Sequence, residues 1–129
     1  MDIKTNYRST LELKGIEIIE CIFKKNSSEL DGIELGIKFE RRIDDLDDKN
    51  YVINLNTIVS DEDEKLFLNV KAKAYFYTEI ENRDMIEKNT IAIMFPYIRS
   101  YISIVTTQPG MAPIVLPAMN IVAMIDDQK

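Results

Sequence analysis

Hydrophobic and polar positions alternate along most of the first eighty residues. Between the Asp31-Gly32 turn and the acidic run that begins at Asp44, Ile33, Leu35, Ile37 and Phe39 take turns with Glu34, Gly36, Lys38 and Glu40. A period of two marks a strand with one face covered and one face wet. Tyr51, Ile53, Leu55 and Val59 keep that period, with Asn54 and Asn56 on the opposite side. Leu66, Leu68, Val70, Ala72, Ala74 and Phe76 then alternate with Phe67, Asn69, Lys71, Lys73, Tyr75 and Tyr77. The stretch from Leu11 to Lys24 is rich in β-branched residues, and its apolar phase slips from Ile16 and Ile18 to Ile19, Cys21 and Phe23. Both faces of that strand therefore read as covered. Asn26-Ser27-Ser28 and two charged stretches, Asp44 to Asn50 and Ser60 to Lys65, supply the connections. Four strands so joined predict an antiparallel meander over about residues 11–80.

The pattern changes after Ile80. All four prolines and five of the six methionines fall at or beyond position 85. Asn89-Thr90 can cap a helix over about residues 90–108, in which Ile91, Met94, Phe95, Ile98, Ile102 and Val105 recur at steps of three and four. Pro96 removes a backbone hydrogen bond and predicts a kink or a second start. Gln108-Pro109-Gly110 ends the helix. The remainder, residues 109–129, contains MAPIVLPAMNIVAMI, whose Pro113 and Pro117 argue against a long helix or a central strand. It reads as an extended apolar segment. The fold class is α+β in one domain, residues 1–129, with a four-stranded antiparallel sheet, a long helix on one face and an apolar, proline-containing C-terminal segment.

Composition narrows the function. At 129 residues, with 46% hydrophobic and 29% charged positions, the chain can bury a core and is not a disordered tail. Sixteen basic against twenty-two acidic residues give a net charge of −6, the wrong sign for a phosphate-backbone binder, so no nucleic acid partner is expected. The absence of histidine removes the commonest general base and transition-metal ligand. Neither acidic cluster holds the glycine-containing spacing of a calcium loop. The expectation is a non-enzyme without metal or cofactor. Cys21 is the single cysteine and sits in an apolar pattern, as a buried inert thiol in a reducing compartment. The N-terminus lacks the apolar core of a secretory signal, and no run approaches the roughly eighteen apolar residues of a membrane span. A cytoplasmic protein without membrane insertion is expected.

An apolar helix stripe is ordinary core, but it leaves a surplus. Met111, Met119 and Met124 lie in the apolar tail, and Phe67, Tyr75 and Tyr77 lie on the strand face the helix does not need. Flexible methionines and exposed aromatics suit either a partner subunit or an adaptable groove for apolar peptides.

The stretch Ile93-Met94-Phe95-Pro96-Tyr97-Ile98-Arg99, followed by Ile102, Val105, Gly110, Pro113, Leu116, Pro117, Ala118 and Asn120, resembles the signature of the protein-export chaperone SecB. In that family a helix with an FPYAR-like motif leads to a glycine, a proline-rich apolar loop and an asparagine. The resemblance implies a cytosolic homotetramer, a dimer of dimers, that holds unfolded precursor proteins in apolar grooves without ATP. It places Phe95, Pro96, Tyr97, Arg99 and Ile102 at helix ordering and the subunit interface. It puts Met111, Ile114, Leu116, Met119 and Ile121 in the loop bordering the client groove, with Tyr75 and Phe76 near its floor; Phe67 and Tyr77 extend the client-binding set. Of the acidic residues that dock the SecA motor in the family, Glu20 is kept, while Lys24 and Asn69 replace others and Lys71 and Lys73 add positive charge. The chain ends at Lys129, which leaves no room for the family's longer second helix. Two alternatives remain: a SecB-like chaperone dedicated to an antitoxin in a toxin-antitoxin module, and a structural or interaction protein on the same fold.

Overall fold

A computed structural model describes residues 4–7 and 9–127 of the chain. Positions 1–3 and 8, part of the stretch weighed above as a signal, and 128–129, the end of the apolar tail, lie outside the described residues. Four strands, β1 (Leu11–Lys25), β2 (Gly36–Asp45), β3 (Asn50–Ser60) and β4 (Leu66–Thr78), precede two helices, α1 (Arg83–Val105) and α2 (Ile121–Asp127). All neighbouring strands are antiparallel, in the order β1-β4-β3-β2. The meander therefore holds for β2, β3 and β4, whereas β1 lies beside β4 and not beside its neighbour in sequence. Residues 26–35 carry the chain from one edge of the sheet to the other. That crossing covers strand spacings of about 4.8 Å each, well within the reach of a connection whose residues extend up to about 3.3 Å apiece.

β1 resolves its phase slip with two bulges. Its register with β4 shifts between Leu13 and Gly15 and again between Ile18 and Glu20. Each shift absorbs one residue, so Leu13, Ile16, Ile18, Cys21 and Phe23 all fall opposite Phe76, Ala74, Ala72, Val70 and Leu68 on one face. The other face is wet, not covered: Glu17, Glu20, Ile22 and Lys24 are exposed, as is Ile19 at the second bulge.

The remaining differences from the periodicity have local causes. β2 begins at Gly36 rather than Ile33, because its first partner is Ser60, after which β3 turns away. At its other end Asp44 and Asp45 pair with Val52 and Tyr51, which confines the turn to residues 46–49. In that turn Asp47 Oδ1 accepts the backbone N–H groups of Lys49 and Asn50, both at 2.8 Å. These bonds, first that from Lys49, hold the Asp47 carboxyl below its ordinary value of 3.8. A pKa lowered by folding gives stability that is complete above that ordinary value and is lost as pH falls through the lowered one. Asp47→Asn is thus expected to lose part of the acid sensitivity of the fold, which urea denaturation at neutral and at acid pH, compared with wild type, will measure.

α1 starts seven residues ahead of the Asn89-Thr90 pair. Asn82 is its cap, with Oδ1 accepting the Met85 N–H at 3.1 Å, and Asp84 complements the first turn. Thr90 is instead buried within the helix, its hydroxyl donating to the Ile86 carbonyl at 2.6 Å. Pro96 neither ends nor restarts the helix, which runs through it to Val105. The stripe of Ile91, Met94, Phe95, Ile98 and Ile102 is buried against the inner sheet face of Phe39, Ile53, Leu55, Val70, Ala72, Ala74 and Phe76. Phe95 meets Phe39 edge to face with ring centres 6.0 Å apart. The tail is not extended throughout: α2 closes it, burying Ile121 and Ile125.

Candidate functional site

The tail is fastened to α1 at two points. At the first, the Thr106 hydroxyl donates to the Ile102 carbonyl at 2.6 Å and accepts the Ile114 N–H at 2.8 Å, while Ser103 Oγ donates to the Ile114 carbonyl at 3.0 Å. Gly110, whose φ of 85° is disfavoured for other residues, makes the bend that allows this return. At the second, Asn120 caps α2: its Oδ1 accepts the Ala123 N–H at 3.0 Å, and its carbonyl accepts the Met124 N–H at 3.1 Å. Lys88 on α1 then pairs with Asp126 on α2 at 2.9 Å. The asparagine of the sequence motif is thus a helix cap, and the glycine a turn.

Between these fastenings the tail stands off the helix. An open-sided cavity of about 350 Å³ lies there, lined by Ala92, Phe95, Pro96 and Arg99 from α1 and by Ala118, Met119, Asn120, Ile121 and Val122 from the tail. Its walls are mostly carbon, and Met119 is half-buried at its rim. A second apolar surface follows the seam of β1 and α1, where Leu13, Ile16, Ile18, Cys21 and Phe23 are only half-covered and pack beside Tyr101 and Val105. Burial, and then its hydrogen bond with the Cys21 thiol, raise the Tyr101 pKa. Cys21 is accordingly half-buried at this seam, not sealed in the core. A third surface is the back of α1. Ile93, Tyr97 and Ile104, spaced by four and seven residues, face away from the sheet, with Tyr97 52% and Ile104 72% exposed.

The residues singled out in the sequence do not form one surface. Phe67, Tyr75 and Tyr77 are on the outer sheet face, and Phe76 on the inner, buried one. Leu116 and Ile121 are core residues, each 5% exposed, so they are not offered to a client as the resemblance implied. Met111, Ile114 and Met119 are half-buried at the core's margin. Of the interface set, Phe95 and Ile102 are buried within the chain itself, Tyr97 is exposed and Arg99 lines the cavity. Glu20 is exposed opposite Lys71 on the outer face and pairs with it at 3.5 Å. The β1 seam and the outlying helix positions Ile93 and Ile104 were not singled out. The seam was hidden by the bulges; Ile93 and Ile104 could have been found from their three-and-four spacing with Tyr97.

No family model matches the sequence. An uncharacterized protein of Methanocaldococcus jannaschii is 33% identical over 64 residues, which are 46% of this chain and 41% of that protein. The match thus spans about two-fifths of the relative's length. Among solved structures, the SecB-like chaperone Rv1957 of Mycobacterium tuberculosis, in complex with a ChAD peptide from the Rv1956 HigA1 antitoxin, superposes with a TM-score of 0.69 at 14% identity. The likeness covers 84% of this chain and 90% of that one. A protein of unknown function from Streptococcus agalactiae matches at a TM-score of 0.46 and 12% identity over 84% of this chain and 97% of the other, too slight a likeness to build on. Four antiparallel strands, a long helix across one face and the length of chain that superposes together give this protein the SecB-like fold.

Proposed function

We propose that this protein is a holdase chaperone that binds extended apolar segments of unfolded polypeptide, without ATP and without catalysis. The observation that carries the reading is the cavity between α1 and the tail. It is apolar, open-sided and roofed by a methionine, as a site for irregular apolar side chains must be, and it lies on a SecB-like fold. The half-covered β1 seam extends the apolar area in which a longer segment could lie. On this reading the exposed back of α1, with Ile93, Tyr97 and Ile104, is where copies pack into the cytoplasmic tetramer.

A dedicated antitoxin client is favoured over precursor delivery by two observations. The structural neighbour binds an antitoxin peptide, and Glu20, the expected SecA contact, is engaged by Lys71 on a face of mixed charge. Calorimetric titration against a permanently unfolded apolar polypeptide tests the general reading. Wild type is expected to bind at micromolar concentration, about −8 kcal/mol, and Met119→Asp at least about tenfold more weakly with unchanged oligomer mass. Met119 suits the test because it is half-exposed, whereas the buried Leu116 does not. No heat at tens of micromolar would exclude a general holdase and leave the dedicated or structural role.

A further inference from the structure

The cavity between α1 and the tail is not uniformly apolar. Arg99 lies on its wall, half-buried, beside Phe95, Pro96 and Met119. Among the described residues its guanidinium makes no ion pair or hydrogen bond, although acidic side chains engage Arg83 and Lys88 elsewhere on the same helix. A guanidinium carries five fixed donors, and leaving them unmet beside an apolar wall is costly unless a ligand meets them. The opposite polarity is also present. Pro96 has no N–H to return to the Ala92 carbonyl, and both residues line the same cavity. The site thus combines a charged donor with a carbonyl released from its usual helical partner, between carbon walls.

From this the geometry points to Arg99 as the specificity-determining residue of the cavity. It selects an extended apolar segment in which a carboxylate, from aspartate or glutamate, flanks the anchoring apolar side chain. Such a ligand sets its apolar group against Phe95, Met119 and Ile121 and its carboxylate against the guanidinium, in the two-pronged geometry that arginine favours. Charge complementarity chooses this occupant over a second copy of the chain, because the back of α1 carries the exposed apolar stripe while Arg99 faces the tail.

The assignment rests on the holdase reading and is tested separately from it. Fluorescence anisotropy would compare a short unfolded apolar peptide carrying one glutamate with the same peptide carrying glutamine. Wild type is expected to prefer the glutamate peptide roughly tenfold, less at high salt. Arg99→Gln is expected to bind both peptides at the wild-type glutamine level, and Arg99→Lys to keep part of the preference, which controls for folding. Equal binding of both peptides by wild type overturns the role of Arg99 and spares the holdase. A preference that survives in Arg99→Gln overturns it too, as does a changed oligomer mass with unchanged preference, which would assign Arg99 to a subunit contact. Binding of neither peptide overturns the holdase reading and the role of Arg99 with it.

Discussion

Phe95→Ala is expected to lower the stability of the folded chain by about 3–5 kcal/mol, the usual cost of emptying a buried aromatic site. Phe95 is 6% exposed, packs edge to face on Phe39 and belongs to the cluster between sheet and helix. Its removal opens a void where α1 crosses β2, and the neighbouring chain cannot collapse freely because both elements are held along their length. The same residue is a subunit contact on the family resemblance, and the two roles differ in a measurable way. A core residue changes the free energy of unfolding equally at all protein concentrations, whereas an interface residue changes it more where the assembly is populated. Urea denaturation over a hundredfold range of concentration is expected to give a constant loss. A loss that vanishes on dilution would return Phe95 to the interface.

Leu116→Asp is expected to detach the tail. Leu116 is buried between the Thr106–Ile114 clip and the cap of α2, with no cation in a printed contact to pair a carboxylate there. Burying that charge costs several kcal/mol, more than the single clip and a helix of two turns can hold. The sheet and most of α1 lose little by the release. Local rather than global unfolding is therefore expected: amide protection should disappear at Ile114 and along Ile121–Asp127 while persisting in β3 and β4. Loss of protection everywhere would mean that the tail is integral to the whole core.

Much of this organisation is legible without coordinates, and the parts that are not have a common origin. The alternation in β3 and β4 is read correctly because it records a solvent boundary at each residue, and strands half in and half out of water cannot disguise it. The stripe on α1 is read correctly for the same reason. The start of α1 is missed because two cap signals stand seven residues apart, and only the sheet's last residue, Thr78, and the Arg83–Asp45 ion pair at 2.6 Å favour the first. The β1 phase slip is visible as an anomaly but has two solutions, a doubly covered strand or a bulge, and the register of the partner decides between them.

The candidate site shows the same division. An apolar excess in the tail can be counted from the residues, and Met119 can be singled out, because burial tendency belongs to the side chain. Which members of that excess are core and which are surface cannot be counted. Leu116 and Met119 lie three apart in one apolar run; a clip at Ile114 and a cap at Asn120 bury the first and leave the second half-open. Arg99 looks like part of a helix motif until the tail folds back beside it. Local order and the composition of each face follow from the covalent chain, since they depend on neighbours a few residues away. The pairing of β1 with β4, the stand-off of the tail and the cavity with its one guanidinium follow from contacts between distant residues, where loop reach, register and volume must be satisfied together.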